Sequence, residues 1–98
     1  MFQVEVTIEF DRWLKELRNL RAKEQILERI RRLRGGNPGD AKAIGKGVAE
    51  MRIDVGPGYR LYYTQRGRTL FLLLCGGDKS SQRADIARAI AMARRTNE

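Results

Sequence analysis

E-M-R-I-D-V-G-P-G-Y-R-L-Y-Y at Glu50–Tyr63 reads as two strands folded back at Gly56-Pro57-Gly58, and the elements on either side take their places from this hairpin. The strands are expected over Val48–Val55 and Tyr59–Gln65. Side chains alternate across a strand, so Met51, Ile53 and Val55 point to a core while Glu50, Arg52 and Asp54 point away. By the same rule Arg60 and Tyr62 share one face, and Tyr59, Leu61 and Tyr63 share the opposite, core face. Facing positions of an antiparallel pair lie ~5 Å apart, which can bring Arg52 close to Arg60. The sequence leaves the register across the turn open. Two opposed arginines need counter-charges, for which Asp54 and Glu50 are candidates, or an anionic ligand.

Beyond the hairpin, Arg66-Gly67 turns the chain into a strand over Thr69–Cys75. Phe71-Leu72-Leu73-Leu74 is apolar on both faces, which predicts a central position beneath helices. Gly76-Gly77 is expected to break this strand, and Lys79 to arrive from the loop after it. Ser80 or Ser81 then caps a last helix with an apolar stripe of Ile86, Ala89, Ile90 and Ala93. Before the hairpin, Phe2–Ile8 alternates with period two, as a half-buried strand does. Phe10, Trp13, Leu14 and Leu17 then follow helical spacing, as do Ile26, Leu27, Ile30 and Leu33. Gly35-Gly36 and Pro38 end the second helix, and residues 35–47 read as a mobile glycine-rich loop carrying Lys42 and Lys46. The arginines of the second helix make a solvated face or an electrostatic surface for RNA. The expected architecture is α+β: one domain over residues 1–98, with an N-terminal strand and a two-helix hairpin packed on a small antiparallel sheet, and a C-terminal helix.

Charge narrows the function. A net charge of +8 and a pI of about 10.4 favour an anionic partner, among nucleic acid, ribosome, membrane surface or acidic protein. The chain has no histidine and no metal-ligating cluster, and its single cysteine, Cys75, lies in an apolar run as a core residue. A reducing cytoplasm suits that cysteine content; no secretory signal is expected, and no apolar segment nears the ~20 residues of a membrane span. Arg52, Arg60 and Lys79 on three neighbouring elements suit a site that grips a phosphate, where catalysis rests on charge stabilisation. Lys42, Lys46, Arg66 and Arg68 extend the basic surface toward RNA or ribosome, and Tyr62 is expected to stack a base or donate its hydroxyl.

With G-G-D-K-S-S-Q-R-A-D-I at Gly76–Ile86 following the hairpin in order, the chain resembles the RelE/ParE superfamily of bacterial toxins. The likeness is to the short HigB-like, phage Gp49-related branch of addiction-module killer proteins, and it covers nearly the whole chain. It implies a RelE-like fold and the toxin of a type II toxin–antitoxin module, a ribosome-dependent endoribonuclease that cleaves messenger RNA. The alternatives it carries are a ParE-like gyrase inhibitor, or a decayed toxin acting only in a DNA-binding repressor complex. It also implies a helix-turn-helix, HigA-like antitoxin, operator DNA reached only through that antitoxin, and no cofactor. On the matching motifs Arg60 binds the scissile phosphate, Lys79 neutralises charge in the transition state, and Arg52 orients the RNA. Asp54 stands where RelE-like enzymes place another strand cation, and Asp85-Ile86 stands in the region of their late tyrosine. Glu50, Asp54 and Asp78 are then candidates for acid–base work or for counter-charges.

Overall fold

The computed structural model describes residues 1–96. Its elements run β1 (Gln3–Val6), α1 (Ile8–Glu16), α2 (Leu20–Arg34), β2 (Ala41–Gly45), β3 (Val48–Ile53), β4 (Tyr59–Arg66), β5 (Leu70–Asp78), a 3₁₀ turn (Lys79–Ser81) and α3 (Gln82–Thr96). The five strands form one sheet in the order β1-β5-β4-β3-β2. The architecture is α+β and compatible with a RelE-like fold, with one departure from an antiparallel sheet: β1 runs parallel to β5. No helix among the described residues is long and apolar enough to cross a membrane.

Each face of the sheet has its own core. On one side Phe10, Ile26, Ile30 and Leu33 of the helical hairpin meet Met51, Ile53, Leu61 and Leu73. On the other, Ala89, Met92 and Ala93 of α3 cover Tyr62, Leu74 and Cys75. The C-terminal helix is therefore seated on the sheet, and β5 is covered on both faces as its continuous apolar run requires. The strand serves both cores through a bulge: Tyr62 faces Cys75 and Tyr63 faces Leu73, leaving Leu74 unpaired in register.

Two local expectations are corrected. Gly76-Gly77 does not break β5, which continues to Asp78. The glycines are needed because neighbours press onto the strand. A β-carbon at Gly76 would lie 2.5 Å from the Trp13 ring, and one at Gly77 1.9 Å from the Asp85 carboxylate. Residues 35–47 are not all loop: Ala41–Gly45 pairs with the outer edge of β3, a tertiary pairing that overrides the weak strand preference of alanine and glycine. Lys46 takes the left-handed conformation (φ 55°) in the turn joining the two strands. A 3₁₀ turn precedes the last helix, and Asp78 caps that turn, its carboxylate accepting from the Ser80 amide at 2.8 Å.

Thr7 ends β1 and starts α1. Its hydroxyl oxygen accepts from the Phe10 amide at 3.0 Å and its proton goes to the Leu74 carbonyl at 2.6 Å, so one side chain joins helix start and bulge. Thr7→Ala is expected to lower stability by about 1 kcal/mol and Thr7→Ser to recover most of it, read from urea unfolding midpoints.

Candidate phosphate-binding site on the α3 face

Register brings the predicted cations together. Arg52 on β3 faces Arg60 on β4, and Arg60 faces Gly77 on β5. The next row inward is Lys42, Glu50, Tyr62 and Cys75. Lys79 follows at the strand end, its amide donating to the Gly58 carbonyl at 2.8 Å and its side chain exposed. One end of the sheet thus carries Arg52, Arg60 and Lys79 around the β3–β4 turn.

Each arginine has its own carboxylate, which offsets the repulsion of two opposed cations. The Nη2 of Arg52 donates to Asp40 at 2.8 Å, and this pair is open to solvent. Arg60 is far more enclosed, with 14% of its side chain exposed and its Nε 3.8 Å from Glu50. The expected counter-charge Asp54 is exposed, and no ion pair joins it to either arginine among the described residues. Asp40 takes its place beside Arg52 because Arg29 of α2 ties that corner down. Its guanidinium donates to the carbonyls of Arg52 (2.6 Å), Pro38 (3.0 Å) and Asp40 (3.3 Å).

Glu50 is wholly buried. One carboxylate oxygen accepts from the Nε2 of Gln82 at 2.8 Å; the other has no hydrogen-bond partner. Asp85, also buried, sits in the notch above Gly77, accepting from the Ser81 hydroxyl at 2.6 Å and from Arg88 at 3.0 Å. These α3 groups roof the row that holds Arg60. Sequence reasoning had not singled out Asp40, Gln82 or Asp85 as site residues. Gln82, Asp85, Ala89 and Met92 recur at helical spacing, so a signal for two of them was present: polar side chains on the buried stripe.

Two expected RNA contacts are corrected. Tyr62 has no exposed ring to stack on a base, because α3 buries it completely. Burial and then the nearby Glu50 charge push its hydroxyl pKa well above the usual tyrosine range, and the hydroxyl finds no hydrogen-bond partner. Tyr62→Phe is therefore expected to leave thermal stability unchanged or raise it by up to ~1 kcal/mol, since an unpaired buried hydroxyl contributes nothing that phenylalanine lacks. Arg66 is the second. It donates to the carbonyls of Thr96 (2.8 Å) and Ala93 (3.0 Å) and to the Thr96 hydroxyl, which makes it the tether of the α3 C-terminus. Lys42, Lys46 and Arg68 are exposed on the surface. Asp78 is engaged by Ser80, whose hydrogen bonds hold its carboxyl below the usual range and disfavour a proton-accepting role. Of the α2 arginines, Arg31 and Arg32 pair with Glu28, whose pKa falls to about 2 chiefly through the Arg31 hydrogen bond. Burial raises the pKa of the Cys75 thiol, as expected of a core residue.

The arrangement offers three cations over a buried acidic layer. Its chemistry is binding and stabilising an anion. A family model described as "Phage derived protein Gp49-like" matches residues 12–97. An uncharacterized protein of Haemophilus influenzae is 50% identical over 91 residues, covering 93% of this chain and 92% of that protein.

Proposed function

Since this chain belongs to the phage-derived Gp49-like protein family, we propose that it is the toxin of a type II toxin–antitoxin module, acting as an endoribonuclease on messenger RNA in the ribosome. The observation that carries this reading is the Arg52–Arg60 facing pair with Lys79 beside it, an anion-binding end of the sheet in a chain with no histidine. Arg60 grips a non-bridging oxygen of the scissile phosphate through its solvent-facing Nη groups. Lys79 offsets charge that develops as the P–O5′ bond breaks, and Arg52, exchanging Asp40 for phosphate, orients the strand. The 2′-oxygen attacks phosphorus, its proton passing to a group of the ribosomal RNA; the P–O5′ bond breaks, the 5′-oxygen takes a proton from water, and a 2′,3′-cyclic phosphate and a 5′-hydroxyl end form. An antitoxin with an acidic face complements the +8 charge and silences the protein in the resting cell.

The second reading, a gyrase inhibitor, draws on a different surface. Ile8, Leu20 and Leu27 of the helical hairpin are more than half exposed and would form its contact patch. The discriminating experiment is induction of the protein alone, with RNA ends mapped on translated and untranslated copies of one transcript and plasmid supercoiling assayed in parallel. Cuts confined to the translated copy support the nuclease. Uncut RNA with altered supercoiling selects gyrase, and no growth effect beside retained operator binding with an antitoxin selects a decayed toxin.

A further inference from the structure

The buried layer beneath Arg60 has more order than a generic salt bridge. Glu50 is wholly buried, yet one of its oxygens has no hydrogen-bond partner. The Nε of Arg60 is likewise buried without a partner, and the two atoms face each other at 3.8 Å. Arg60 makes no hydrogen bond among the described residues, and Nε alone of its nitrogens is a buried orphan, so the Nη groups reach solvent. The guanidinium is thereby divided: one edge turns inward to a carboxylate and the fork turns outward. The inward carboxylate is itself fixed, because Gln82 at the start of α3 donates to its other oxygen at 2.8 Å.

We infer that Glu50, held by Gln82, is a positioning residue for Arg60: it takes the Nε edge so that the Nη fork is presented to phosphate. A slide of under 1 Å closes the 3.8 Å gap to hydrogen-bond length. Glu50 does not touch RNA in this arrangement, since α3 and the sheet enclose it. The inference also makes α3 part of the site, through Gln82, although its helical face carries no cation of the predicted set.

The inference rests on the nuclease reading for its kinetic consequence and on geometry alone for its spectroscopic one. The test replaces both partners by unbranched apolar side chains of similar length, E50M/Q82M, which removes the hydrogen bond without stranding half of it. E50Q, keeping shape and a neutral partner for Gln82, is the milder variant should the pair fail to fold. In wild type the Arg60 Nε–H resonance is expected to be protected from solvent exchange. In either folded variant that protection falls at least tenfold at unchanged melting temperature. In a reconstituted translation system kcat for transcript cleavage falls at least tenfold, while KM for the ribosome holds. A variant that keeps both the protected Nε–H and wild-type kcat overturns the inference. Uncut transcript with the wild-type protein would instead sink the nuclease reading, and the exchange measurement would still decide whether Glu50 positions Arg60.

Discussion

Arg60→Ala is expected to cut the rate of transcript cleavage by about 10²–10³-fold while the protein stays folded. The side chain donates no hydrogen bond among the described residues, and its structural part is limited to the Nε edge 3.8 Å from the buried Glu50 carboxylate, so some stability is expected to go with it. Its alanine replacement leaves Glu50 hydrogen-bonded to Gln82, so the buried carboxylate keeps one partner. Loss of cleavage in a variant that still unfolds cooperatively well above the assay temperature would thus report the outward fork. Arg60→Lys should recover only part of the rate, because a single ammonium cannot bind phosphate through two parallel donors and still turn an edge to Glu50. Cleavage by Arg60→Ala within threefold of wild type would refute the role assigned to it.

Gly77→Ala should have the largest effect on stability of any single methyl addition in the chain. The new β-carbon would stand 1.9 Å from an Asp85 oxygen and 2.9 Å from the Ser81 hydroxyl, so the first turn of α3 has to lift. Overpacking of this kind costs about 1–3 kcal/mol, and each kcal/mol lowers the melting temperature of a domain this size by roughly 4–8 °C. Asp85→Ala in the same chain relieves the clash and is expected to restore part of the loss. That recovery separates a clash with α3 from a general intolerance of β5 to alanine. Equal melting temperatures for wild type and Gly77→Ala would show that α3 is not seated on the strand as described. The lifted helix would also take Gln82 from Glu50, so cleavage should fall along with stability.

What the sequence made legible was whatever alternates or repeats. The hairpin faces were correctly sorted because Met51, Ile53, Leu61 and Tyr63 follow a strict period of two, and an interior place for β5, second from the edge with β4 at the centre, agrees with its unbroken apolar run. Partners supplied from elsewhere in the chain stayed hidden. Gly76 and Gly77 look like a strand ending, and only the Trp13 ring and Asp85 carboxylate pressing on them explain why a strand continues there. Tyr62 shares the face of Arg60 as expected, yet its exposure depended on whether α3 docks, which a modest alanine-rich stripe does not announce. Arg66 reads as a free cation until the end of α3 arrives against it. Asp40 lies in a stretch read as loop, and its pairing with Arg52 depends on Arg29 binding the carbonyls around it.

The place of β5 between β1 and β4 also bears on how the chain matures during synthesis. β1 is translated first but pairs only with β5, Gln3 waiting for Leu70 and Val6 for Leu73. At roughly 5–20 residues per second that wait is about 3–13 s, during which a strand with exposed backbone donors has no sheet to join. Arg52 and Arg60 can meet as soon as the hairpin closes, but the Gly77 side of their row, the Lys79 turn and the Gln82 anchor all come later. A ribosome making this protein therefore releases the cationic corner unassembled, and the last third of the chain acts as the timer that completes it.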